Sequence, residues 1–251
     1  MNVAPTPSLT HELALIALAA AVLAALAGML RLGALHRYRP GAVRNVLGLL
    51  MLWQAMMVAL ALAGYFAVFS EPWRALPTVA LSIAGAAWLA TRTTALHALQ
   101  GIPAWTWPAL QSFRLPLELL LYHMYAQGVI GKPMTFSGYN FDILVGVSAP
   151  LMAIWLWAQP DSSRVQRLSV LWNLAGLALL LNILTIAFLS IPFPFQALVQ
   201  EPANRMVAAF PFIWLATLFV PLALFAHLIA LRSARQERTE RKTASKRGVH
   251  P

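Results

Sequence analysis

The chain has 251 residues, of which 60% are hydrophobic and only 10% are charged. A soluble domain usually carries about 25% charged residues, so this composition is typical of a membrane protein. The absence of cysteine excludes disulfides, thiolate metal ligands and cysteine nucleophiles. The net charge of +10 does not indicate nucleic-acid binding, because the basic residues lie mostly in predicted loops and in the C-terminal tail, where they fix membrane orientation.

Seven hydrophobic segments are long enough to cross a bilayer, which takes about 20 helical residues. They lie near residues 12–34, 45–69, 75–97, 106–128, 140–158, 168–190 and 206–231. The sequence therefore predicts an all-α, polytopic membrane protein, a bundle of about seven transmembrane helices that forms one domain over residues 1–231.

The basic residues predict the orientation of this bundle. With the N-terminus outside, only Arg74, Lys132 and Arg205 lie in outer loops, whereas nearly all of the other basic residues lie in inner loops or in the tail. This asymmetry follows the positive-inside rule and favours a cytoplasmic C-terminus. Residues 232–251 are basic and lack apolar periodicity, which predicts a disordered cytoplasmic tail.

Two opposite charges stand one helical turn apart in the middle of the fourth predicted span. They are Arg114 and Glu118, and each charge disfavours membrane insertion by roughly 2.5–3.5 kcal/mol, so such residues indicate a functional site. At about 100° per residue, they share an arc of about 80° with three further polar side chains. These are Gln111, Tyr122 and Tyr125. A polar stripe of this kind faces the bundle interior or a cavity, because lipid cannot satisfy it.

Two interpretations of the stripe are open. In the first, Arg114 and Glu118 neutralise each other as a structural salt bridge at i,i+4. In the second, they form a binding or catalytic centre, since a bundle that needs only adhesion could use Ser, Thr or Asn at lower cost. Pro116 lies between the charges and predicts a kink, which could open a cavity beside them or be an ordinary feature of a membrane helix.

Asn140 and Asp142 begin the fifth predicted span. An acid in the first turn favours the helix dipole, which is the structural interpretation of Asp142. The alternative is that both residues line the outer mouth of a cavity whose floor is Glu118. By helical rise alone, Glu118 lies near mid-membrane and Asp142 near the outer surface, so we expect the two carboxylates to be separated in depth.

The histidines give no metal or haem site. No pair has the i,i+4 spacing of metal ligands, so neither a metal nor a cofactor is predicted. Three polar residues within spans, Gln54, Asn173 and Asn182, are expected to hold helices together by hydrogen bonds. No phosphate-binding loop or nucleophile elbow occurs, and no lysine lies within a span, which excludes a retinal Schiff base.

The runs Gln111–Glu118, Met134–Leu144 and Phe210–Leu215 together resemble a group of bacterial multi-pass, seven-helix membrane proteins without an assigned activity. The resemblance implies a bacterial inner-membrane location. It implies no function, so the function has to be inferred from the residues.

The leading hypothesis is a membrane-embedded protein that binds or transports a small molecule through an Arg/Glu/Tyr polar site. Glu118 would be the protonatable group, and Arg114 would pair with it or with an anionic cargo. Four residues would line the outer approach: Tyr122, Tyr125, Asn140 and Asp142.

Two alternative functions are open. The first is an intramembrane enzyme acting on a lipid or isoprenoid, with Glu118 or Asp142 as general acid. The second is a structural or assembly subunit whose charged pair is fully enclosed. The expected partners are the lipid bilayer and a small-molecule or lipid ligand, with no nucleic acid.

Overall fold

The computed structural model describes residues 6–33 and 40–246, and these residues form helices and no strands. In chain order the helices are α1 (Leu9–Leu32), α2 (Pro40–Leu62), α3 (Leu76–Thr91), α4 (Thr93–Ala98), α5 (Thr106–Gln111), α6 (Arg114–Ala126), α7 (Ile143–Ala158), α8 (Ser163–Ser190) and α9 (Val220–Lys246). Short 3-10 turns lie at Tyr65–Ala67, Pro72–Arg74, Lys132–Met134 and Met206–Ala208, and a π-helical turn, Leu215–Phe219, leads into α9. The all-α prediction is confirmed for the described residues.

Four helical segments are long and apolar enough to cross a membrane: Leu9–Leu32, Val43–Leu62, Ser163–Ser190 and Leu215–Gln236. Helix α7 is apolar but shorter. The third predicted span is interrupted at Arg92, and the fourth is divided between α5 and α6. The membrane character of the chain therefore rests on four candidate crossings, and the seven-span topology stays a prediction.

Helix α9 lies at the centre of the bundle. It packs against α3 and α8, and it also contacts α5. Helix α1 packs against α2, α5 and α6, while α7 packs against α5, α6 and α8. The largest buried core joins these elements through apolar side chains such as Leu15, Met124, Phe212 and Ile229. The short helix α5 is thus enclosed by its neighbours, whereas α6 is buried on one face and exposed on the other.

The interruption between α5 and α6 follows from a proline. Pro116 has no N–H for the carbonyl of Ser112, and the N–H of Leu115 donates to that carbonyl instead, at 3.2 Å. The tightened turn falls at Ser112 and Phe113. The helix therefore changes course where the sequence predicts a kink, and the polar stripe is divided between two helices.

At a second proline, a side chain from another helix replaces the missing backbone hydrogen bond. Pro221 cannot donate to the carbonyl of Thr217, four residues earlier, and the side chain of Gln54 in α2 donates to it at 2.9 Å. The hydroxyl of Thr217 donates in turn to Oε1 of Gln54 at 3.2 Å. Gln54 thus joins α2 to the π-helical turn, in agreement with the adhesive role expected from the sequence.

Helix α9 continues through much of the segment for which the sequence predicts disorder. Residues 232–246 are helical, whereas residues 247–251 lie outside the described residues. Arg232 secures this extension, because its guanidinium donates to the carbonyls of Ala90 and Arg92 at the end of α3. A segment rich in Ala, Arg, Lys, Glu and Gln prolongs an existing helix without a new nucleation step, which a prediction from composition alone leaves out.

Gly146 sets the distance between α7 and α6. A Cβ at this position would overlap the backbone of Arg114 and Leu115. We expect Gly146→Ala to push the helices apart and to lower the free energy of unfolding by about 1–3 kcal/mol, seen as a lower thermal midpoint in detergent. Gly28→Ala is the control, because a Cβ there meets no atom within 4 Å. Equal midpoints for the two variants would contradict the close contact.

Candidate functional site

Arg114 pairs with Asp142 rather than with Glu118. Nη1 of Arg114 lies 3.5 Å from Oδ1 of Asp142, and both side chains are buried, with Arg114 only 1% exposed. The pair joins the first residue of α6 to the residue that precedes α7. The salt bridge within one helix that the sequence allowed is therefore replaced by one between two elements.

Glu118 is held by the side-chain amide of Asn140. Nδ2 of Asn140 donates to both carboxylate oxygens of Glu118, each at 2.8 Å, and to the carbonyl of Met134 at 3.2 Å. Oδ1 of Asn140 accepts from the backbone N–H of Asp142 at 3.1 Å. One fully buried side chain thus joins Glu118 to the start of α7.

The chain between α6 and α7 folds back along α6. Asn140 reaches Glu118, and Asp142 reaches Arg114, one turn nearer to the start of α6. This arrangement differs from the separation in depth that helical rise predicts, because the connecting segment does not stay at the end of the helix. Non-helical backbone within a membrane has to be enclosed by protein. The buried side chains of this segment include Val129, Ile130, Met134 and Thr135.

A cavity of about 320 Å³ lies beside the charged residues. Its lining contains Arg114, Glu118 and Asp142, and every other lining residue is hydrophobic. The walls come from α3, α6, α8, α9 and the π-helical turn, and they include residues that precede α3 or follow α8. Ligand sites have volumes of about 300–1,000 Å³ and carry a few convergent polar groups on apolar walls. The cavity has these properties.

The cavity is enclosed on the α6 side and open toward α3 and α8. Its lining residues from α6 are all buried, whereas most of those from α3 and α8 are partly exposed. The partly exposed set comprises Leu76, Val79, Ile83, Ile183, Leu184 and Ala187. Phe188, which also lines the cavity, is 42% exposed. The outer surfaces of the two helices carry exposed apolar residues such as Leu81 and Leu181, so the opening lies on a surface suited to lipid.

The surrounding protein does not provide an acceptor for every hydrogen-bond donor of Arg114. Its Nη2 is buried and has no partner, and the bond from Nη1 to Asp142 is long at 3.5 Å. A buried donor without a partner costs about 1–3 kcal/mol, and more when it is charged. The guanidinium of a residue that lines the cavity thus has a hydrogen-bond donor without an acceptor.

Four of the predicted site residues do not line the cavity: Gln111, Tyr122, Tyr125 and Asn140. Gln111 donates to the carbonyl of Ala223 at 3.0 Å, so it joins α5 to α9. Tyr122 is 40% exposed and stacks on Phe136, with 4.7 Å between ring centroids, and it also contacts Tyr125. Of the seven predicted residues, the structure brings together Arg114, Glu118, Asn140 and Asp142.

Among the residues that the structure describes, His227 and His11 contact different side chains. Nδ1 of His227 lies 2.8 Å from Oδ1 of Asn173, a buried contact that joins α8 to α9. The ring of His11 lies 5.2 Å from that of His123, between centroids. Within residues 6–33 and 40–246, no group of three or more His, Asp and Glu side chains is arranged to hold a metal ion.

Sequence reasoning missed the apolar walls of the cavity. The lining positions 76, 79 and 83 in α3 follow helical spacing, as do 180, 183, 184 and 187 in α8. Exposed apolar residues such as Leu81 and Leu181 lie between these positions. The spacing of apolar residues therefore does not distinguish a cavity wall from a lipid-facing surface.

These observations define a class of protein: an all-helical chain with four candidate membrane-spanning helices and a buried charged cluster beside an apolar cavity. Comparisons with protein-family models, with curated proteins and with solved structures find no match for this chain. Its function is therefore inferred from the cavity and from the residues that border it.

Proposed function

We propose that the protein is a bacterial inner-membrane protein with seven spans and a cytoplasmic C-terminus, and that it binds and transports a small molecule through the cavity beside Arg114 and Glu118. The observation that carries this proposal is the buried guanidinium of Arg114, whose Nη2 lacks a partner at the edge of an apolar cavity. A ligand with an acceptor oxygen would occupy the cavity and accept a hydrogen bond from Nη2 of Arg114.

A purely structural role for the charges accounts for less of this arrangement. The charged side chains are almost completely enclosed, as a structural role requires, yet Arg114, Glu118 and Asp142 also border a cavity, which a structural role does not need. Replacing a buried ion pair by well-packed apolar residues is often neutral or stabilising. Three charged side chains beside a space large enough for a ligand are therefore better explained by binding than by stability.

The balance of charge supports binding of an anion together with a proton. With both carboxylates ionised, the three charged residues carry one net negative charge. A monoanionic ligand would add a second negative charge in surroundings of low dielectric constant, which is unfavourable unless one proton is bound at the same time. Glu118 is the group proposed to take up this proton, because Arg114 already pairs with Asp142.

The variant Glu118→Gln tests the proton-coupled site. We expect ligand binding to the wild-type protein to weaken by up to about tenfold per pH unit as the pH rises, the slope for one linked proton. In Glu118→Gln this dependence should disappear, because Gln cannot take up the proton. The measurement is native mass spectrometry of the gently purified protein, following the species that remains bound across a series of pH values.

The control for this experiment is Glu71→Gln, which removes a partly exposed carboxylate that pairs with Arg74 and does not line the cavity. It should keep the pH dependence of the wild-type protein. An unliganded mass in every sample, with only Glu118→Gln losing thermal stability, would instead favour a structural role for Glu118.

A second candidate function is that of an intramembrane enzyme acting on a lipid or isoprenoid. The observation in its favour is that the carboxylates of Glu118 and Asp142 line one cavity. Asn140 holds them near each other, because it donates to the carboxylate of Glu118 and accepts from the backbone N–H of Asp142. Two carboxylates at one site can divide the roles of acid and base. The test is prolonged incubation with the bound species. A product mass that is absent with Asp142→Asn would favour the enzyme, and an unchanged ligand would favour binding and transport.

A further inference from the structure

We propose that the ligand of the cavity is a single-chain lipid with a carboxylic acid head group, which enters from the bilayer between α3 and α8 and places its head group at Arg114. This inference rests on the proposed function and adds the chemical class of the ligand and its route of entry.

The lining restricts where the ligand can be polar. All the charged lining residues lie at one wall, formed by Arg114, Glu118 and Asp142, and the remaining walls are hydrophobic. A polar group held against those walls would lose its hydrogen bonds to water without gaining others. The ligand is therefore apolar along its length and polar at one end, which is the form of a single-chain lipid.

The exposure of the lining residues indicates the route of entry. The partly exposed residues of α3 and α8 border the cavity on the side whose outer surface is apolar. Phe66, Phe193 and Ile213 also line the cavity and are almost fully buried, at 1%, 5% and 2% exposure. A molecule that is already dissolved in the bilayer therefore reaches the cavity without passing through water.

The polar wall favours a head group that both accepts and donates a hydrogen bond. Nη2 of Arg114 needs an acceptor, whereas the neighbouring carboxylates of Glu118 and Asp142 are acceptors themselves. A carboxylic acid offers one oxygen to Arg114 and one proton to share with Glu118. An ester of the same length only accepts hydrogen bonds, and a protonated amine only donates them, so it offers no acceptor to Nη2 of Arg114. The acid also supplies the proton that the proposed function requires.

The experiment compares three probes with the same chain: tetradecanoic acid, methyl tetradecanoate and tetradecylamine. Each is titrated into the full-length protein in an amphipathic polymer, and bound molecules are counted by native mass spectrometry. We expect one molecule of the acid per protein, bound at least tenfold more tightly than the ester or the amine. Arg114→Lys should remove this preference for the acid, because its ammonium cannot reproduce the guanidinium fork. Arg74→Lys, outside the cavity, should leave the preference unchanged.

A second variant tests the location without altering a charge. Ala216 lines the cavity, and Ala216→Phe should reduce binding of all three probes. The thermal midpoint of each variant shows whether it is folded.

Equal binding of the three probes, reduced in Ala216→Phe, would overturn the head-group assignment and leave the proposed function standing. Retention of a native species of another class, without binding of any probe, would overturn the ligand class alone. Absence of any bound species from the wild-type protein would contradict the proposed function as well.

Discussion

Replacing Arg114 by Met is expected to lower the free energy of unfolding by about 3–5 kcal/mol, the usual loss when one partner of a buried ion pair is removed. The remaining carboxylate of Asp142 is 6% exposed, so water cannot replace the missing cation. The loss is measured as a shift of the unfolding transition in mixed micelles. Arg74→Met is the control, because Arg74 pairs with Glu71 at a partly exposed position, where an ion pair contributes about 0–1 kcal/mol.

The double variant Arg114→Met/Asp142→Leu separates stability from binding. It removes both charges, so most of the lost stability should return, since apolar replacements of a buried pair are often neutral or stabilising. The same protein should no longer retain its ligand, because Nη2 of Arg114 is gone. A double variant that is as unstable as Arg114→Met would show that the ion pair is not the source of the loss. A stable double variant that still binds would contradict the proposed site.

Replacing Asn140 by Leu is expected to cost about 3–5 kcal/mol, because several buried groups lose their partner at once. The two carboxylate oxygens of Glu118 lose a donor, as does the carbonyl of Met134, and the N–H of Asp142 loses its acceptor. The segment between α6 and α7 should also loosen. This is measured as faster proteolysis between Gln127 and Asp142, alongside the unfolding transition.

Asn182→Leu is a matched control for this prediction. Asn182 donates a single hydrogen bond, to the carbonyl of Tyr139 at 2.7 Å, and its side chain is only partly buried. Its loss should therefore cost about 1 kcal/mol, the contribution of an ordinary hydrogen bond. A similar loss of unfolding free energy in the two variants would mean that Asn140 only holds neighbouring elements together and has no special role in positioning Glu118.

The charged residues of the site could be predicted because charged side chains are rare within hydrophobic membrane spans. Arg114 and Glu118 stand out from their neighbours whatever the surrounding fold, and Pro116 marks the break in the helix through its missing N–H. Their partners could not be predicted in the same way. Local spacing favours the i,i+4 pair, whereas the actual partners lie 28 and 22 residues away in the chain.

The partners were missed because the periodicity of hydrophobic residues does not show the path of an irregular segment. Helical rise gives the depth of residues within a helix, but it says nothing of a connection that turns back. The angles of the stripe assume a constant 100° per residue, and the break at Ser112 and Phe113 leaves Gln111 facing α9. Tyr122 lies toward the outside, where Phe136 of the returning segment stacks on it, and Tyr125 is partly buried against the core.

The opening of the cavity toward lipid decides which part of a ligand can be recognised. An acyl chain leaving the bilayer for an apolar cavity exchanges one hydrocarbon environment for another, so the chain itself contributes little net binding energy. Selectivity then falls to the head group at Arg114, and chain length should be tolerated over a wide range. Occupancy should follow the mole fraction of ligand among the lipids: diluting a vesicle sample with buffer leaves it unchanged, and adding empty vesicles lowers it.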